Sequence, residues 1–294
     1  MIEFFQLAIT GMMIGSLYSL VGASVVLVYK STHVVSLAHG QLVAFGALAF
    51  WIFMAQLNLP FWISLVPALI ITGLMGFFIE RFALRSMIGE SLFSSFLMTF
   101  AIFLFLEGFL FLYLMGGSRT LPPFLPKGNF AVAGLFVPVD QLISFGIAII
   151  LFIVLGLIFK FSWVGLGMRA TAEDHNLAQS AGISVRNIFT SIWILSSMVA
   201  TVAGIATANV MDIYHSLPYI GITGLIVAIC GGLDSIIGAL IAGLFLGIVE
   251  NVSSGYLDPL VGGGVKDVAS YTILLLVLLV RPYGLFGLKR IERI

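Results

Sequence analysis

The chain is predicted to be an all-α polytopic membrane protein, and three observations predict it. Of its 294 residues 61% are hydrophobic and only 9% are charged, against about 25% charged in a soluble domain. The mean hydropathy of +1.18 is more than a soluble core of this size could hide. The apolar residues fall into about eight long runs, most of them near the ~20 residues a helix needs to cross a ~30 Å hydrocarbon layer. Acidic and basic residues balance at 13 each, which leaves no basic field for nucleic acid or an acidic partner. The whole chain, 1–294, reads as one transmembrane domain.

The runs succeed one another at about residues 4–29, 36–56, 60–80, 91–115, 139–160, 187–210, 220–250 and 267–281. The first lacks the basic start of a cleaved signal peptide and is expected to be a retained span. It carries Gly11 and Gly15, matched late in the chain by Gly243 and Gly247. Such GxxxG spacing lets helices approach closely, within a chain or between subunits. The second run belongs to VVSLAHGQLVAFGALAF, with Ser36, His39 and Gln41 where a lipid-facing helix would carry apolar residues. Those three are expected to line a pathway or gate, or to hydrogen-bond between helices. Glu107, in the fourth run, is the most deeply placed carboxylate; it would pair with a neighbouring helix or serve a proton or ion route. Cys230 is the single cysteine, suited to packing.

Basic residues orient the spans. Segments 81–90, 160–187 and 281–294 hold Arg81, Arg85, Lys160, Arg169, Arg186, Arg281, Lys289, Arg290 and Arg293, nine of the 13 basic residues, and are expected on the cytoplasmic side. The Pro- and Gly-rich stretch 116–138 then falls outside. Counting crossings works only if 220–250 enters and returns as two short helices, re-entrant or crossing, broken at CGGLDS. Gly231 and Gly232 suit such a break, and Asp234 and Ser235 can cap the second of the two helices. Glu80 and Glu250 are expected near span ends. GQLVAFGAL from Gly40 and GLDSIIGAL from Gly232 share the pattern G-x5-G-A-L, which points to an internal repeat with a pathway between its units. Asp234 and Ser235 are therefore pathway candidates too. Asn209, Asp212, Tyr214 and His215 form a polar cluster at the outer mouth, a docking place or an ordinary loop.

Residues 168–185, MRATAEDHNLAQSAGISV, are a polar island. Thr171 followed by Asp174 has the spacing of a capping box, Glu173 and Asp174 suit the positive end of a helix, and Gly182 suits its termination. A helix of under three turns over 172–181 would be unstable alone and needs something to pack against. That could be its own spans or a cytoplasmic partner.

Four stretches, in order along nearly the whole chain, carry a resemblance: VVSLAHGQLVAFGA, GMRATAEDHNLAQSAGISV with the span after it, GGLDSIIGALIAGLFLGIVE, and RPYGLFG. The chain resembles the branched-chain amino-acid ABC transporter permeases. The resemblance implies that 168–182 is a coupling helix seated in a cleft of an ATP-binding subunit, with Arg169, Thr171, Glu173, Asp174, Leu177 and Gly182 at or near the contact. It implies two cytoplasmic ATP-binding subunits, a second permease subunit (homologous or identical), an extracytoplasmic solute-binding protein, membrane lipid around the helices, and a bacterial inner-membrane location. The solute would be a branched-chain amino acid or a related small solute such as urea, an amide or an aromatic acid. Ser31, Thr32 and Val35, and Asp234 in GGLDS, depart from the family's usual residues.

Enzyme motifs are missing from the sequence. It has no G-x-x-x-x-G-K-[ST], no H-E-x-x-H, no G-x-S-x-G and no Cys/His cluster with metal spacing. The expectation is a transport subunit that binds no cofactor or metal, with ATP used by its partners. An ion-coupled secondary transporter of a small solute and a membrane scaffold are the rival readings.

Overall fold

A long, almost unbroken apolar run with little charge is a helix in want of burial on all sides, and α1 (Ile2–Thr32) finds it. A computed structural model describes residues 1–87, 90–132 and 134–287. Basic residues Lys289, Arg290 and Arg293 lie outside the described residues. Around α1 stand α2 (Ala38–Trp51), α3 (Phe61–Phe78), α4 (Leu92–Leu114), α5 (Val139–Phe161), α8 (Val185–Val210), α9 (Ile220–Gly231), α10 (Ile236–Val261) and α11 (Val265–Val280). Two short helices, α6 (Trp163–Glu173) and α7 (His175–Ser180), join α5 to α8. Among the described residues, seven helical stretches are long and apolar enough to span a membrane. The chain is a multi-pass, all-α membrane protein.

Burial ranks the spans. In its most apolar stretch α1 is 89% buried, whereas α4 and α5 are 22% buried, so α1 is the central post and α4 and α5 lie at the periphery. The post is held by close approach. The GxxxG pairs of α1 and α10 face each other: a Cβ on Gly11 would lie 2.5 Å from the Gly247 carbonyl oxygen, and one on Gly15 would collide with that of Gly243. Ser19 adds a hydrogen bond of 3.0 Å to the Leu240 carbonyl. The spacing therefore serves contact within the chain, leaving side-chain dispersion and lipid release to stabilise the pair.

The expected break in 220–250 is present, with one difference. Gly232 turns the chain at φ 101°, and the Ser235 hydroxyl accepts from the Gly238 N–H at 2.9 Å to start α10. Only the first half is short, however. α9 has 12 residues, about 18 Å at ~1.5 Å per residue, while α10 continues for 26 residues to Val261. Glu250, expected near a span end, consequently lies inside α10, 2% exposed, bonded to Ser270 and 4.0 Å from the Lys266 ammonium. The α9 end leaves carbonyls without a helical partner. The segment after α11 supplies them: Leu285 and Phe286 donate to the carbonyls of Cys230 and Gly231 at 2.8 and 3.0 Å. RPYGLFG is thus a backbone plug for the broken helix.

The other end of α9 starts in the interior. Gly221 lies against Gly40, near the start of α2, so the chain before α9 must dip into the helix bundle. It is held there by two hydrogen bonds between Arg119 and Ile213, of 2.8 and 2.9 Å. The 116–138 stretch contains an antiparallel hairpin, β1 (Asn129–Val132) and β2 (Leu135–Pro138). Gln6 clips it to α1 by bonding both the N–H and the carbonyl of Phe136. Gly40 and Gly46 sit inside the unbroken α2, whereas Gly232 is the break itself and Gly238 sits in the first turn of α10.

Gly15→Val is expected to destabilise the protein by about 1–3 kcal/mol or more through overpacking. A lowered melting midpoint in detergent would report it, while Gly108→Ala, at a site open to 4 Å, should leave the midpoint unchanged.

Candidate functional site

Two regions gather the polar residues singled out by sequence. The first is the α6–α7 knob, beside the start of α8, which carries Arg186 and whose Thr190 accepts from Arg85. Ser162 caps α6 by accepting from the Gly165 N–H at 3.0 Å. Arg169 turns back into the protein, donating to the Phe159 carbonyl; its guanidinium and the Lys30 ammonium both stack on the Phe159 ring, the latter at 4.1 Å. Thr171 is buried, its hydroxyl spent on the Gly167 and Met168 carbonyls at 2.9 and 3.1 Å.

The capping box therefore does not form, because Thr171 is already helical. The cap is Asp174, extended at φ −157° between the helices, whose carboxylate accepts from the Leu177 N–H at 3.0 Å. The single helix expected over 172–181 is two helices with a bend at that residue. Gly182 does terminate α7, at φ +82°, with the Ile183 N–H bonded to the Ala178 carbonyl at 3.0 Å. Ala178 packs with Val185 and Phe189 and so fixes α7 to the start of α8. Glu173, Asp174, Gly182 and the 69%-exposed Leu177 face outward, whereas Arg169 and Thr171 serve the knob's own structure.

The second region is the start of α2. Ser36, His39 and Gln41 are buried. His39 Nε2 is 3.1 Å from the Ser196 hydroxyl of α8, and its ring lies 5.1 Å from that of Trp193. Among the described residues the Ser36 hydroxyl, His39 Nδ1 and both polar atoms of the Gln41 amide have no hydrogen-bond partner. Buried groups left so cost about 1–3 kcal/mol each. Membrane proteins carry such groups chiefly where water or a solute passes. Asp234 and Ser235 stand elsewhere, in a groove of about 500 Å³ with Lys30, Phe152, Phe159 and Leu240. Of the polar cluster expected at the outer mouth, Asn209 is tied to Asp140 of α5.

Sequence reading sets Glu80 near a span end and gives it no role. It is 2% exposed, held by Arg85 at 3.1 and 2.9 Å and by the Thr190 hydroxyl of α8 at 2.7 Å. The pair is spaced i, i+5, and meets because Ile79–Leu84 is a π-helix; a search at i+3 and i+4 misses it. With Glu90, Ser95 and Trp193 it lines a cavity of about 200 Å³, and Trp193 separates that cavity from His39.

The model of the family described as branched-chain amino acid transport system / permease component matches residues 7–280. The chain belongs to that family. The permease is 28% identical to the high-affinity branched-chain amino acid transport system permease protein LivH of Escherichia coli K12, over 99% of this chain and 98% of that one. It is 26% identical to BraD of Pseudomonas aeruginosa, over 99% and 98%. It is 30% identical to a probable LivH of Methanocaldococcus jannaschii, over 95% and 92%. The solved structure of PsaBC from Streptococcus pneumoniae in complex with Fab shares the fold of the permease, with a TM-score of 0.51 at 15% identity over 96% of this chain and 92% of that one.

Gln41→Leu removes an unpartnered buried amide and is expected to raise thermal stability by about 1 kcal/mol while lowering transport. Melting in detergent and uptake in vesicles, measured on the same preparation, check both signs.

Proposed function

We propose that the permease is the membrane-spanning subunit of an ATP-driven importer of the bacterial inner membrane that carries branched-chain amino acids or a close small solute. The family match over residues 7–280 is the observation that carries this reading. The sequence has no phosphate-binding loop of its own, and in this reading the energy comes from partner subunits rather than from an ion gradient. In this reading a second permease subunit completes the pathway, an extracytoplasmic binding protein delivers the solute, and two ATPases dock at the α6–α7 knobs. The apolar Leu177 beside exposed Glu173 and Asp174 is the chemistry a cleft with a basic rim would receive.

Coupling arises from the connections. α7 is fixed to the start of α8 through Ala178, Val185 and Phe189, and Thr190, the next residue of α8, ties it to the Glu80–Arg85 pair that continues α3. A push on the knob thus reaches two spans at once. ATP binding that prefers one position of the knob biases the permease between its inward- and outward-open states.

Proteoliposomes holding the permease with and without the two ATPases test the reading. Uptake of leucine, isoleucine or valine is expected only with ATPases, ATP and loaded binding protein; gradient-driven uptake by the permease alone would overturn it. In the same system Glu173→Arg and Gly182→Trp are expected to reduce the stimulation of ATP hydrolysis by at least fivefold with the chain still inserted. Normal stimulation in both would remove the docking role.

A further inference from the structure

Glu107 is the one acidic residue of α4, and it lies seven residues inside the end at Leu114, about 10 Å at ~1.5 Å per residue. Its Oε1 accepts a 2.9 Å hydrogen bond from the Tyr219 hydroxyl, on the turn that leads into α9. The pair is not sealed: Glu107 is half-buried and Tyr219 is 45% exposed. The surface around it is apolar, with Leu104 51%, Phe105 66% and Phe109 53% exposed. Among the described residues no lysine or arginine lies within ion-pair distance of Glu107.

A carboxylate at that depth is unfavourable against acyl chains, and such residues face a protein interior or a water-filled path. The Tyr219 hydroxyl satisfies one of the carboxylate's four acceptor positions and leaves the others for donors from outside the chain. The complementary group is a small cation with several N–H donors. The Tyr219 ring, packed edge to face at 5.9 Å on the buried Phe103, sets aromatic surface beside that position, which also favours a cation.

We propose that Glu107 and Tyr219 form a subsite on the wall of the permeation path that receives the α-ammonium group of the transported amino acid. The subsite rests on the transport reading above and adds to it a solute requirement: a free primary ammonium. It also sets the α4 surface around Glu107, peripheral in the single chain, toward the path that the second permease subunit of the reading above completes.

Two measurements on the complete transporter test it. In a Cys230→Ala background, Leu104→Cys sits one turn from Glu107 on the same helix face. It is expected to react with a cationic methanethiosulfonate reagent at least fivefold faster than with an anionic one. Glu107→Gln should erase the preference, and leucine should slow the reaction. Uptake by Glu107→Gln should fall at least tenfold with subunit assembly intact by co-purification, and Glu107→Asp should restore part of it. An unreactive thiol in the Leu104→Cys variant, or uptake by Glu107→Gln equal to wild type, overturns the subsite. A wild-type complex that takes up no amino acid with ATP present counts instead against the transport reading itself.

Discussion

The rest of the molecule hangs on the backbone-to-backbone contact of α1 with α10. In a membrane, helices gain nothing by hiding apolar side chains from lipid, so association depends on how closely they approach. Gly11, Gly15, Gly243 and Gly247 leave no side chain between the two axes, and Ser19 turns that closeness into a hydrogen bond. With α10 fixed to the central post, Ser270 and Lys266 can reach the buried Glu250 and bring α11 in. The segment after α11 can then reach the broken end of α9.

That broken end meets the second constraint, the absence of water to satisfy free peptide groups at depth. α9 ends inside the protein, yet the carbonyls of Cys230 and Gly231 are paired by the N–H groups of Leu285 and Phe286. The start of α9 is approached by a dipping segment paired with Arg119. The broken end of the half-helix is thus covered by backbone from elsewhere in the chain, and the segment leading to its start is held by Arg119. Side-chain polar groups are treated differently. Among the described residues, Gln41, Ser36 and one nitrogen of His39 lie buried without hydrogen-bond partners near the place where α9 begins. A fold that pairs its backbone so thoroughly and leaves these side chains unpaired bears stability losses at α2, the pattern expected of a pathway element.

The knob shows a division of labour among neighbouring residues. Arg169 and Thr171 point inward and build its attachment, while Glu173, Asp174 and Leu177 point outward. Residues of one motif thus separate into those that hold the shape from inside and those presented on the outer face, with Asp174 doing both as the cap of α7. The resemblance to the family assigns all of them to one contact.

The class, most spans, the break at CGGLDS and the stop at Gly182 were legible because each arises from local chemistry. Runs of apolar residues make spans, paired glycines break helices, and a glycine at φ +82° ends one. Tertiary structure alone decided that Asp174 rather than Thr171 caps α7, since the choice depends on where α6 begins on Ser162. It alone joined Glu80 to Arg85 across a π-turn, Glu107 to Tyr219 across 112 positions, and RPYGLFG to the end of α9. Those pairings depend on distances between helices. The closeness of helices that have no water to drive them together is set by the whole set of small-residue contacts, not by any one stretch of chain.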